Sequence, residues 1–160
     1  MDIAILHKIV WEEMIFANMR AKYFADLVRV YQERDKWVRV AVLVLTSGSM
    51  ATAMLSLDQN LKVGLLILAT IGSLWLLLSQ YSTLSRDAGD LSVEWGRIAN
   101  EYERVWNHLY DPEAEANYQR IYADADKLTK PGAKFPKSGK RLNYWFEHSV
   151  QMLVGRYNHA

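Results

Sequence analysis

The stretch VGLLILATIGSLWLLLSQYSTLS, residues 63–85, runs 23 positions without a charged side chain. A bilayer core is crossed by about 20 apolar residues of helix, so this run is long enough to span one. A buried helix of a water-soluble bundle rarely stays uncharged for about six turns, because some face usually meets water. A second run, VAVLVLTSGSMATAMLSL at residues 40–57, holds no charge over 18 positions. Only DQNLK separates the two, enough for a tight turn between antiparallel helices. The alternative is a soluble hairpin with both helices buried, and the missing charge favours the membrane reading.

The flanking residues agree. Arg20, Lys22, Arg29, Arg34, Lys36 and Arg39 precede the first run, while Arg86, Arg97 and Arg104 follow the second. The connecting turn offers only Lys62, beside Asp58. Lys and Arg gather on the cytoplasmic side of membrane spans, which predicts both termini in the cytoplasm. Trp37 and Tyr81 sit near the cytoplasmic ends, where amphipathic rings prefer the headgroup level; Trp75 lies deeper. The opening MDIAILHKIVWEEM has no basic leader with an apolar run and small-residue cleavage site, so no secretory signal is read there.

The first run is rich in hydroxyls. At 100° per residue, Thr46, Ser49, Thr52 and Ser56 fall within about a third of the wheel. On the second run Thr70, Ser73 and Gln80 share a face. Small and hydroxyl residues let membrane helices approach and hydrogen-bond. They can equally line a narrow pore, where hydroxyls meet water and ions. A two-helix chain cannot enclose a pore alone, so the pore reading requires several copies. Its stripe would be Thr46, Ser49, Thr52 and Ser56, with Gln80 at the cytoplasmic end.

Outside the runs the pattern is helical throughout. Residues 1–36 contain no proline or glycine and present a mixed amphipathic surface around Ile9, Glu13, Phe16 and Tyr23, with Ala17, Phe24, Leu27 and Val28 nearby. After the second run, Leu84, Ala88, Leu91, Trp95, Ile98, Tyr102, Val105 and Leu109 alternate spacings of four and three, a heptad seam. It can pack on the N-terminal helix of the same chain or join subunits. The second span is expected to continue as a stalk about 40 Å long, at 1.5 Å per residue. In YDPEAEANYQRIYADADKL, Asp111 is placed to cap a new helix with Pro112 first inside it, ending near Leu128. The fold class is therefore all-α: a two-span transmembrane hairpin with long cytoplasmic helical extensions, in a homo-oligomeric bundle. Its divisions are an N-terminal helix at 1–36, the hairpin at 37–85, the stalk and second helix at 86–128, and a basic aromatic region at 129–160.

Charge is unevenly spread. Residues 1–126 hold 12 Lys and Arg against 17 Asp and Glu, a net −5, whereas residues 127–160 hold 7 against 1, a net +6. A basic tail on an acidic body suggests an anionic partner. The tail places Lys130, Lys134, Lys137, Lys140 and Arg141 ahead of Tyr144, Trp145 and Phe146. Three readings compete: a solvated linker, a patch for anionic lipid, and a site for an anion that carries bases. Lysine and arginine neutralise phosphates, and aromatic rings stack single-stranded bases at roughly 1–3 kcal/mol each. Lys130, Lys134, Lys137, Lys140, Arg141, Tyr144 and Trp145 are accordingly the candidate ligand residues.

No catalytic constellation is visible. His7, His108, His148 and His159 are scattered, and none has a two-histidine metal spacing with a glutamate. GAKFPKSGKR puts six residues between its glycines where a phosphate loop has four, and Arg141 replaces the needed Ser or Thr. The chain lacks cysteine, which excludes disulfides and thiolate metal sites. It is read as a non-enzyme without a cofactor.

The approach YQERDKWVRVAVLVLTSG, the second span GLLILATIGSLWLLLSQYSTLS and the acidic helix EWGRIANEYERVW together resemble the SLATT family of small two-transmembrane effectors in bacterial anti-phage systems. The resemblance covers about residues 10–110 and excludes the tail. It implies a homo-oligomer, with a tetramer favoured, forming a pore in the bacterial inner membrane. It also implies a functional partner, a nucleotidyltransferase whose oligonucleotide or nucleotide product controls the pore. Single-stranded DNA is among the ligands the tail would suit. The rival from another class is a helical nucleic-acid-binding protein or membrane scaffold without channel activity.

Overall fold

The computed structural model describes residues 2–46, 58–78 and 80–157. Among the described residues there are five helices and no strand: α1 Ile3–Thr46, α2 Gln59–Leu78, α3 Tyr81–Asn107, α4 Ala114–Gly132 and α5 Gly139–Tyr157. The chain is all-α. It divides into two compact units, Met1–Leu27 with Asp87–Ala160, and Val28–Arg86.

In the first unit the heptad seam is the core-facing stripe of α3. Ala88, Leu91, Trp95, Ile98, Tyr102 and Val105 are buried, with Ile98 and Tyr102 at 0% exposure. Their partner is the N-terminal helix of the same chain. The Ser92 hydroxyl donates to the Ala21 carbonyl at 2.9 Å, and the Arg20 guanidinium lies 4.4 Å over the Trp95 ring. On α1 the buried stripe is Leu6, Val10, Met14, Ala17, Phe24 and Leu27. Of the expected surface, Tyr23, Ala17, Phe24 and Leu27 are buried, whereas Ile9, Glu13 and Val28 are half-buried and Phe16 is exposed. Stepping three or four residues from Leu6 collects larger apolar groups without burying a carboxylate, and each fully buried side chain contributes about 1.5–3 kcal/mol. Helix α4 adds Ala114, Tyr118, Ile121 and Ala125 to this core, and α5 adds Ser149 and Leu153.

Helix α4 departs from expectation at both ends. Its N-cap is Glu113, with no side-chain cap bond. The Asp111 carbonyl, not its carboxylate, receives the Ala114 N–H at 3.0 Å, because residues 108–111 form a turn of their own. The helix then passes Leu128 and includes Pro131 in its last turn. Proline lacks one N–H there, and the chain closes with the Ala133 N–H on the Thr129 and Lys130 carbonyls. Lys130 is thus helical, not part of a linker.

The second unit contains the rest of α1, all of α2 and the first residues of α3. Tyr31 is buried and stacks with Tyr81 at 6.3 Å. Along α1 and α2, by contrast, large apolar side chains face outward: Leu43 is 67% exposed, Leu68 58% and Trp75 59%. Val63, Ile67, Ile71 and Leu74 are exposed as well.

The expected uninterrupted stalk is corrected here. Helix α2 ends at Leu78 and α3 begins at Tyr81. Between them Gln80 has φ 43°, a left-handed conformation that ends α-helical hydrogen bonding. Its carbonyl accepts the Leu84 N–H at 3.0 Å and so starts the next helix. The uncharged part of α2 is therefore residues 63–78, about 24 Å at 1.5 Å per residue. Among the described residues no helix is long and apolar enough to cross a membrane.

Candidate functional site

The hydroxyl stripe falls mostly outside the described residues. Ser49, Thr52 and Ser56 lie there, and Thr46 is the last residue of α1. Gln80 is exposed and occupies the break between α2 and α3.

The basic tail is described as far as Tyr157 and is folded onto its own unit. The Tyr23 hydroxyl donates to the Pro136 carbonyl, and the Ser138 N–H reaches the Tyr23 oxygen at 3.4 Å. Phe135 is buried with its ring edge-on to Phe24 at 5.6 Å. Charge pairing follows from this docking. Lys134 pairs with Asp87, Arg141 with Asp26 at 3.5 Å, and Arg156 with Glu103 at 2.5 Å. Lys127 pairs with Asp124 at 2.7 Å. Four of the tail's seven cations thus have a carboxylate of the same chain beside them. Lys130, Lys137 and Lys140 form no ion pair among the described residues. Tyr144 is 60% exposed; its ring lies parallel to His148 at 6.3 Å and edge-on to Trp145 at 5.0 Å.

The structure therefore splits the candidate ligand residues into two sets. Lys137 and Lys140 carry unpaired charge, with Lys130 on the end of α4. Lys134 and Arg141 are already offset by Asp87 and Asp26, so they offer a phosphate less than their formal charge.

Several titratable groups sit inside the first unit. Burial holds the Glu13 carboxyl above its ordinary range, with Arg20 pulling it down and Glu12 pushing it up. Burial, then the negative charge of Glu13, raises the Tyr102 phenol. Burial lowers the Lys22 ammonium, and Arg156 adds to this; the Lys22 Nζ lies 3.3 Å from the Met152 sulfur. Among the described residues three buried polar atoms, Trp95 Nε1, Tyr102 Oη and Ser149 Oγ, have no hydrogen-bond partner. Among the described residues no three His, Asp or Glu stand together as metal ligands.

Two cavities open in this unit. One, of about 530 Å³, lies where α3 turns into α4 and is lined by Glu101, Arg104, His108, Glu113 and Arg120 among others. Arg120 is 3.7 Å from Glu101, and the His108 ring N–H meets the Arg104 carbonyl at 3.0 Å. The other, of about 290 Å³, lies between α1, α3 and the segment 128–137, with Arg20, Phe24, Trp95, Phe135 and Lys137 in its walls. Sequence reasoning found Lys137 but missed Arg20 and Trp95 as site residues. Their pairing joins positions 75 apart in the chain, and nothing local announces it.

No family model matches the chain, and no curated protein or solved structure matches it either.

Proposed function

We propose that this chain is a membrane effector: the hairpin of residues 37–85 enters the bilayer as two spans, and copies gather around an axis to form a pore. The observation that carries this reading is the outward-facing apolar surface of α1 and α2 at Leu43, Leu68 and Trp75. Water-exposed apolar area of this extent favours transfer into hydrocarbon at about 25 cal/mol per Å². The uncharged residues 63–78 cover about 24 Å as helix, short of the hydrocarbon thickness of about 30 Å. A span this short requires local thinning of the bilayer or help from the flanking residues, at a fraction of a kcal/mol per Å.

In this reading the unit of residues 1–27 and 87–160 stays in the cytoplasm and binds an oligonucleotide or nucleotide. Lys130, Lys137 and Lys140 supply positive charge, and Tyr144 with Trp145 supplies ring faces. Ligand binding would shift the pore population by its differential affinity for the open and closed bundles. The SLATT resemblance adds the biological setting, an abortive-infection response in which a partner nucleotidyltransferase makes the signal. Ion flux through liposomes holding the purified protein tests the proposal. Conductance that depends on oligonucleotide supports it; silence under every ligand condition leaves the scaffold.

The second reading, a nucleic-acid-binding or scaffold protein without a channel, is favoured by the tail alone. Tyr144 and its neighbours present stacked rings beside unpaired lysines whether or not a pore exists.

A further inference from the structure

The cavity of about 290 Å³ between α1, α3 and the segment 128–137 has no role in the pore reading, and its walls have a definite chemistry. Most of the lining is apolar or aromatic: Phe24, Trp95, Phe135, Leu128 and Leu142 among others. Two cations, Arg20 and Lys137, join them, and no Asp or Glu stands among the described residues of the lining. Neither cation forms an ion pair among the described residues. The Arg20 guanidinium carbon lies 4.4 Å over the Trp95 ring, a cation–π contact that holds this charge in the wall. Lys137 is exposed at the mouth.

Glu13, outside the lining, is close enough to Arg20 to offset part of its charge, and Lys137 has no such neighbour in the lining. Apolar walls with net positive charge select a particular kind of molecule. The volume lies at the small end of ligand pockets, about 300–1,000 Å³. The geometry points to a binding site for one small amphiphilic anion, with an apolar or aromatic body against Phe24, Trp95 and Phe135 and a carboxylate or phosphate between Arg20 and Lys137. The site does not depend on the membrane hairpin, because every lining residue belongs to the unit of residues 1–27 and 87–160. It differs from the oligonucleotide surface as well, since Tyr144 and Trp145 are not among its lining residues and only Lys137 is shared. An occupant would bridge α1, α3 and the segment after α4, and so stabilise their mutual packing.

Isothermal titration calorimetry on the full chain tests this, with 2-naphthoate, 2-naphthyl phosphate and the neutral 2-naphthylmethanol as probes. The expected result is one saturable site per chain, with at least one of the two anions binding at least tenfold more tightly than the alcohol. The two anion arms separate a carboxylate site from a phosphate site. Gly132→Leu supplies the steric control. Gly132 lines the cavity, its φ is not positive, and a Cβ there would rest 3.4 Å from the Phe24 ring; the leucine then fills the space and abolishes binding of all three probes. Lys137→Gln, at an exposed position that folding tolerates, weakens the anions several-fold and leaves the alcohol unchanged. Equal binding of anion and alcohol would overturn the site, because the exposed apolar face of α2 takes naphthalene without regard to charge. So would anion binding unaffected by Lys137→Gln. Neither outcome bears on bilayer insertion, which flux and vesicle measurements read separately.

Discussion

The two units of this chain use the same kinds of residue to opposite ends. In residues 1–27 and 87–160, Leu6, Leu91, Trp95 and Leu153 point inward, Ile98 and Val10 are fully buried, and charged groups pair across the surface, although Ile3 and Ile5 near the N-terminus are exposed. In residues 28–86 the same residue types point outward on α1 and α2, with Leu43, Leu68, Ile71 and Trp75 exposed. Burial gives the first unit a core of its own. The second leaves apolar surface exposed, and in the proposed reading hydrocarbon covers it. The comparison separates a packed core from the surface on which the membrane proposal rests.

The largest effect should come from charging the outward face. Leu68→Arg with Ile71→Arg adds about 2.5–3.5 kcal/mol per arginine to insertion at a span centre. Co-flotation with liposomes should then be lost while far-UV circular dichroism of the chain stays helical. If flotation persists, the apolar face of α2 is not what meets lipid.

Next comes a cavity in the buried core. Ile98→Ala should cost about 2–5 kcal/mol in chemical unfolding, whereas Ile71→Ala, at an exposed position, should stay within about 0.5 kcal/mol. Similar losses at both sites would mean that the two units do not differ in the way their exposures indicate.

The tail sharpens the comparison within the first unit. Replacing Lys130, Lys137 and Lys140 together by Glu should weaken single-stranded oligonucleotide binding by at least tenfold and flatten its salt dependence. Replacing Lys134 and Arg141 by Gln should do less, because Asp87 and Asp26 already offset them. Fluorescence anisotropy across a salt series reads both. The ion pairs themselves are half-exposed and worth only about 0–1 kcal/mol each.

The smallest effect concerns Glu13, whose carboxyl is held above its ordinary range chiefly by burial. A carboxyl raised in the folded state favours folding with its proton on. Its contribution is fully present below the ordinary carboxylate pKa of 4.5 and is lost as pH rises through the higher folded value. Glu13→Gln should therefore slightly stabilise the protein near pH 7, and the gain should vanish at acidic pH. Melting temperatures at both pH values decide it; a loss at pH 7 would place Glu13 in a stabilising ion pair instead.

How far these features can be read in the sequence depends on their range. The α3 seam was legible because Ala88 to Val105 repeats every three and four residues, and that local period fixes which face is buried. The all-helical class was legible for the same reason. The pairing of the tail was not: Lys134 with Asp87 and Arg141 with Asp26 join residues far apart in the chain, so the net +6 of the tail looked like a demand for an external anion. The start of α4 was misjudged because the Ala114 N–H, which an Asp111 carboxylate would have capped, goes to the Asp111 carbonyl instead. The interruption at Gln80 was hidden because glutamine carries no turn signal, unlike the glycine or asparagine usual at φ above zero. Of the candidate site, the unpaired lysines and aromatics were visible as composition. The Arg20 and Trp95 stack was not, since only the packing of α1 on α3 brings them together.

The central claim is that residues 28–86 sit in lipid while the rest of the chain sits in water. Because the sequence contains no cysteine, single cysteines can be placed at Leu68 and Glu115 and spin-labelled without background. In proteoliposomes, collision with oxygen and with a water-soluble nickel chelate reports what surrounds each label. The account predicts oxygen-dominated collision at position 68 and chelate-dominated collision at position 115. Equal chelate access at both positions would contradict it.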